Sequence, residues 1–195
     1  MKRITAMTAA AILATSLPAG AQHITFKSVP VDGTRKEFTL LLREKGFSET
    51  DIRAAGVLSG VFAGRQATVV ADTTATSGTV FRASAFLEQR SKWAELKDDY
   101  LAFKRFITEK YGTPIRSEER FDSPYHEGDG FEMKAVSLGK CRYAAAWNHE
   151  AGRIEIGIAP AGREPGKACL RISYIDMANT ILAEREMEEI YKEDL

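Results

Sequence analysis

The sequence is poor in metal-ligating and redox-active residues, and it has no excess charge of either sign. It holds three histidines and two cysteines in 195 residues, and its 27 Lys and Arg balance its 27 Asp and Glu. Each shortage excludes something. Binding nucleic acid by bulk phosphate neutralisation needs a clear excess of Lys and Arg, which is absent. Without a Cys-x-x-Cys, redox and zinc-ribbon chemistry fall away, and His149-Glu150 is followed by Arg153 where a zinc hydrolase needs its second histidine. No phosphate-cradling glycine loop, dinucleotide fingerprint or Gly-x-Ser-x-Gly turn occurs. Ser137-Leu138-Gly139-Lys140 matches the Ser-x-x-Lys of penicillin-binding enzymes by letter, but the two companion motifs are missing. No cofactor is implied.

What is present begins at the N-terminus. Lys2 and Arg3 precede a short apolar stretch from Ala6 to Leu17, and Ala19-Gly20-Ala21 has the small residues of a cleavage site. Residues 1–21 read as a secretory signal peptide, because the apolar stretch falls well short of the roughly 20 residues of a bilayer span. Cleavage would remove two basic residues and no acidic one, leaving a slightly acidic exported chain without a transmembrane segment, periplasmic or extracellular. Residues 22–195 suffice for one compact domain that needs neither metal nor disulfide.

Local patterns predict an α+β protein, with antiparallel sheet packed against helices. Thr34-Arg35-Lys36-Glu37 is a capping box, followed by Phe38, Leu41 and Leu42 at helical spacing and by Gly46 as a stop. Residues 57–63, 65–72 and 79–88 read as strands, the last with one core face and one wet face. Gly56, Gly60 and Gly64 recur every fourth residue, which in a strand puts all three on one face, for bulges and close helix approach or for a groove that takes a ligand or a partner strand. Trp93, Leu96, Tyr100, Phe103 and Ile107 share one arc of a second helix that Gly112 and Pro114 end. Residues 131–136, 141–149, 153–159 and 168–175 are strand-like, with a hairpin at Glu150-Ala151-Gly152. A last helix from Asp176 is expected to carry Met177, Ile181, Met187 and Ile190 inward and an acidic solvated face outward.

Two internal echoes suggest tandem helix-plus-sheet units, residues 26–90 and 91–176, followed by the C-terminal helix at 177–195. LLREKG at 41–46 resembles FITEKYG at 106–112, and the glycine-strand pattern from Gly64 resembles that from Gly139. In a simple meander, Cys141 and Cys169 sit on strands separated by a third. Alternation puts them out of phase, which counts against a disulfide.

The densest polar cluster is the loop Asp122, Ser123, Tyr125, His126, Glu127, Asp129. As an enzyme site it would use Ser123, His126 and Asp129 for acid/base or nucleophilic work, and Asp122, His126, Glu127 and Asp129 as ligands for a divalent cation. A small-ligand pocket lined by Tyr143, Trp147 and Tyr174 is a further alternative.

The order of FKSVPVDG at 26–33, GVFAG at 60–64, KYGTP at 110–114 and YIDMAN at 174–179 resembles a set of exported proteins of unknown function from Bacteroides-like bacteria. The resemblance implies location and fold, and carries no catalytic residue. Tandem helix-plus-sheet units also look like the secreted beta-lactamase inhibitor protein and the BamE-type components of outer-membrane assembly, which bind other proteins. The sequence therefore leads to an exported, non-enzymatic binding protein whose partner is another protein or an envelope component. Its alternatives are a small hydrolase or metal-dependent enzyme using the 122–129 loop, or a small-ligand binder.

Overall fold

The capping box forms as the sequence implies. The Glu37 amide donates to the Thr34 hydroxyl at 3.3 Å, and the Glu37 carboxylate accepts from the Thr34 amide at 2.8 Å. Helix α1 (Arg35–Glu44) follows, burying Phe38 and Leu42. The structure, a computed structural model, describes residues 22–50, 56–162 and 166–195. The expected signal peptide lies outside the described residues.

A short hairpin, β1 (Thr25–Phe26) and β2 (Val29–Pro30), precedes α1. The remaining strands are β3 (Ser48–Glu49), β4 (Val57–Phe62), β5 (Arg65–Thr73), β6 (Val80–Leu87), β7 (Arg116–Phe121), β8 (Cys141–His149), β9 (Gly152–Pro160) and β10 (Ala168–Asp176). They form one antiparallel sheet in the order β3-β4-β5-β6-β10-β9-β8-β7. Helices α2 (Trp93–Tyr111), α3 (Glu132–Ser137) and α4 (Met177–Asp194) complete the chain, so the protein is α+β.

The two halves of the chain have the same element order, a helix followed by four strands, with α3 inserted after β7. LLREKG and FITEKYG occupy matching places: each ends a helix, at Gly46 (φ 90°) and Gly112 (φ 83°). The buried pair Phe38 and Leu42 in α1 corresponds to Phe103 and Ile107 in α2, one turn apart in each. The second echo does not map this way. Gly64 lies in the β4–β5 turn, whereas Gly139 follows the end of α3. The halves meet where β6 pairs with β10, with Ser84 opposite Ser173 and their hydroxyls 2.9 Å apart in a buried setting.

Side-chain alternation then divides the sheet. Leu58, Val69, Ala83, Ala85, Leu170, Ile172, Ile154, Ile156, Ala145 and Trp147 fall in register on one face, and they form a single apolar cluster with Phe26, Phe38, Leu42, Tyr100, Phe103 and Ile107. Thus α1, α2 and the β1–β2 hairpin cover this face. Helix α3 adds a satellite cluster, in which Val136 meets Leu96 and Ala168. Close approach explains two glycines. A Cβ on Gly60 would stand 2.6 Å from the Phe47 ring, and one on Gly152 would stand 2.0 Å from the Ile175 carbonyl oxygen.

Three expectations are corrected. Residues 131–136 are not a strand: Glu132–Ser137 is helical, because Ala135 and Val136, adjacent in sequence, are both buried, as alternation in a half-buried strand would forbid. Of the three recurring glycines only Gly60 is inside a strand, while Gly56 and Gly64 adopt φ of 85° and 77° outside it. In α4, Met177 and Ile181 are 52% and 42% exposed and Met187 is also exposed, while the buried positions are Asn179 and Glu186. Those two polar residues pin the helix along the end of the sheet. The Asn179 amide donates to the carbonyls of Val31 and Val80, both at 3.0 Å, and Glu186 accepts from the backbone amides of Thr76 and Ser77. Asp176 caps α4 through the Asn179 amide and also accepts from the Ile24 amide at 3.0 Å, tying the N-terminal hairpin to the C-terminal helix.

Cys141 and Cys169 are free thiols on strands separated by β9, as the meander implies, and their registers put them on opposite faces of the sheet. No described helix is long and apolar enough to cross a membrane.

Candidate functional site

The 122–129 loop links β7 to α3, and its carboxylates are already engaged. Asp122 accepts from Arg142 at 2.9 Å and also pairs with Arg120, contacts that hold its carboxyl below the usual range. Glu127 pairs with Lys97 and accepts from the Tyr143 hydroxyl at 3.0 Å. The Lys97 hydrogen bond outweighs partial desolvation and keeps the Glu127 carboxyl charged. Asp129 accepts from the backbone amides of His126 and Phe131, at 3.0 and 2.7 Å, and is lowered by both.

Ser123, His126 and Asp129 are therefore neighbours without forming a relay. The His126 ring meets the Glu127 carbonyl at 3.2 Å, while Asp129 meets only the His126 backbone. Ser123 is exposed and precedes a cis peptide bond to Pro124. The arrangement organises the loop: Glu127 sits beside Trp93 and Tyr143, whose rings pack edge to face at 4.8 Å, with Phe121 5.0 Å from Trp93. Among the described residues no group of three or more His, Cys, Asp or Glu is placed to hold a metal ion.

The three aromatics named for a ligand pocket separate. Trp147 is fully buried and Tyr143 is nearly so, both within the apolar cluster. Tyr174 is half-buried against Phe26 and Phe62, and it lines a narrow cleft with Phe103 and Tyr111.

The other face of the sheet has a different character. Pairing aligns its outward residues in rows across the strands: Ser59, Thr68, Phe86, Arg171, Gly157, Ala144 and Glu118 form one, and Val57, Val70, Ser84, Ser173, Glu155, Ala146 and Arg116 form the next. None of these side chains belongs to an apolar cluster with a described helix. An antiparallel sheet can leave one face without a helix layer, and this one does so across both halves of the chain, although Ser84, Ser173 and Ala146 within these rows are buried. Two depressions mark it, one over Thr68, Phe86 and Cys169, the other over Ala144, Ala146 and Gly157.

Charge is uneven on this face. In the β3–β6 half, Asp72 and Arg82 neutralise each other at 2.5 Å. The β7–β10 half presents Arg116, Arg120, Arg142, Arg153 and Arg171 against Glu118, Glu155 and the adjoining Asp122. Arg116 pairs with Glu118 and Arg153 with Glu155, each at 2.8 Å. The sequence signalled the wet face through its alternation but gave no weight to Gly157, which sits at an outward position between Glu155 and Ala159, opposite Arg171 on one side and Ala144 on the other. Comparison of the chain with known protein families, with curated proteins and with solved structures finds no match, so what the chain does is argued from this geometry alone.

Proposed function

We propose that the chain is an exported, non-enzymatic protein that binds a protein partner or envelope component through the open face of its sheet. One observation carries the reading: eight antiparallel strands present a continuous face on which no apolar layer of the described residues packs, and half-buried Val57, Val70 and Phe86 lie among small and charged side chains there. A surface that mixes apolar patches with arginine and is framed by charge has the composition of protein interfaces. The engaged carboxylates of the 122–129 loop support a binding role over acid/base chemistry, because each is held charged by fixed partners. The N-terminal pattern of Lys2, Arg3 and the apolar stretch to Leu17 supports export.

Site-specific photo-crosslinking in intact cells tests the reading. A photoreactive residue at Phe86 or Ala144 is expected to form a reproducible covalent adduct with another protein. The same residue at Arg105, on the outer side of α2, is expected to form none. Adducts from neither face, together with hydrolytic turnover abolished by His126→Ala and Asp129→Ala, would replace the binding reading with the enzyme reading.

A further inference from the structure

We infer that the depression over Ala144, Ala146 and Gly157 receives an acidic side chain from a protein partner, with Arg171 as its counter-charge. The inference rests on the reading of the open face as a docking surface and names the chemistry of its occupant.

Gly157 is the first argument. Its neighbours would admit a side chain, since an added Cβ would meet the Tyr143 carbonyl at 3.5 Å and the Ala144 Cβ at 3.7 Å, both ordinary contacts. Its φ is not in the left-handed region either. Gly60 and Gly152 are different, because a Cβ there would collide with a ring or a carbonyl. Glycine weakens a strand relative to the β-branched residues around it, so at 157 the fold bears that weakness without a steric reason. What the missing side chain does accomplish is to leave the floor bare. With Ala144 paired to Gly157, and Ala146 beside them, it opens a depression of about 270 Å³ in the sheet surface.

Arg171 is the second argument. It lies directly opposite Gly157 on one side and Phe86 on the other, at the rim of the depression. Of the five outward arginines in this half, the other four have carboxylate partners: Glu118 for Arg116, Asp122 for Arg120 and Arg142, and Glu155 for Arg153. Arg171 is exposed and has no ion pair or side-chain hydrogen bond among the described residues. A guanidinium offers a planar fork of donors that matches a carboxylate bidentately, and a low-lying apolar floor lets the partner's methylenes approach. Phe86, opposite Arg171 on its far side, lines the neighbouring depression. An Asp or Glu on a protruding segment satisfies both features: the rim's own carboxylates, Glu118 and Glu155, are already paired with Arg116 and Arg153, and Arg171 is left as the guanidinium to be matched.

The test uses the purified full-length mature chain as bait for a displayed library of random heptapeptides, with selected peptides measured by fluorescence polarisation. Peptides anchored by Asp or Glu are expected, with affinity that falls as salt rises. Arg171→Glu is expected to weaken them about tenfold or more, Arg171→Lys to retain part of the affinity, and Gly157→Val to block entry, with melting curves confirming that each variant is folded. Recovery of no peptide, of peptides without an acidic anchor, or of peptides indifferent to both positions would overturn the inference. Photo-crosslinks from Phe86 and Ala144 separate the two levels. If they persist in Arg171→Glu at wild-type yield, the docking face stands and the acidic occupant falls; if they are absent from the wild type, the docking face itself falls.

Discussion

The pair of serines at the seam offers a sharp test of how the two halves are joined. Ser84 and Ser173 are 5% and 2% exposed, and their hydroxyls, 2.9 Å apart, are each other's partners between β6 and β10. Changing one to alanine deletes a hydrogen bond and leaves the other hydroxyl buried without it, which costs about 1–3 kcal/mol. Changing both removes donor and acceptor together, so the double variant is expected to lose less than the sum of the singles, with a coupling on the order of 1–2 kcal/mol. Urea unfolding of Ser84→Ala, Ser173→Ala and the double variant measures this directly. In a domain of this size each kcal/mol also moves Tm by roughly 2–4 °C. Strict additivity, or single variants that each change stability by less than about 0.5 kcal/mol, would show that water or another group satisfies these hydroxyls and refute the reasoning.

Further expectations follow from other contacts. Gly152→Ala forces a Cβ to within 2.0 Å of the Ile175 carbonyl oxygen and should destabilise by about 1–3 kcal/mol, while Gly157→Ala should be close to neutral; thermal melts of the pair compare them side by side. Asp99 is partly desolvated, which pushes its pKa up, but hydrogen bonds from Arg65 and Arg90 together outweigh this and hold its carboxyl below the ordinary value of 3.8. Because the folded value is the lower one, this stabilisation is present in full above 3.8 and disappears as pH falls through the folded value. Asp99→Asn should therefore lag the wild type at pH 7 and converge with it near the acid limit, as pH-dependent urea titrations would show. Asn179→Ala removes the amide donor to the Val31 and Val80 carbonyls and should cost about 1–3 kcal/mol, with faster hydrogen exchange across residues 24–31 as its signature.

The elements legible in the sequence were those whose signals are local. The capping box at Thr34, the apolar stripe of α2 and the isoleucine alternation of β9 each needs only its own segment to be read. Strand β7 was not legible, because Arg116-Ser117-Glu118-Glu119-Arg120 has the charges of a sheet edge and no apolar face until Phe121. The 131–136 segment misled because Phe131, Met133 and Ala135 alternate with polar residues over a stretch too short to distinguish the two periods. Helix α4 misled for another reason. Its inward positions are chosen by hydrogen bonds to backbone groups more than 90 residues away, and hydropathy has no means of registering such partners. The open face was legible as a wet alternation, but that Arg171 has no carboxylate partner among the described residues became visible only when neighbouring strands showed which arginines already had theirs.

The strand order has a consequence for how the molecule is made. β10 is the last of the described strands in sequence, yet it fills the middle of the sheet between β6 and β9. A chain growing from its N-terminus accumulates two separate ribbons, β3 to β6 and β7 to β9, whose facing edges carry unpaired amides and carbonyls until residues 168–176 emerge. Loop closure over such a separation is slow relative to hairpin formation. The two ribbons therefore join into one sheet only once residues 168–176 have been made. Until then the polypeptide keeps the pliancy of an unfinished fold, and a truncation before β10 would strand two sticky ribbons in place of one protein.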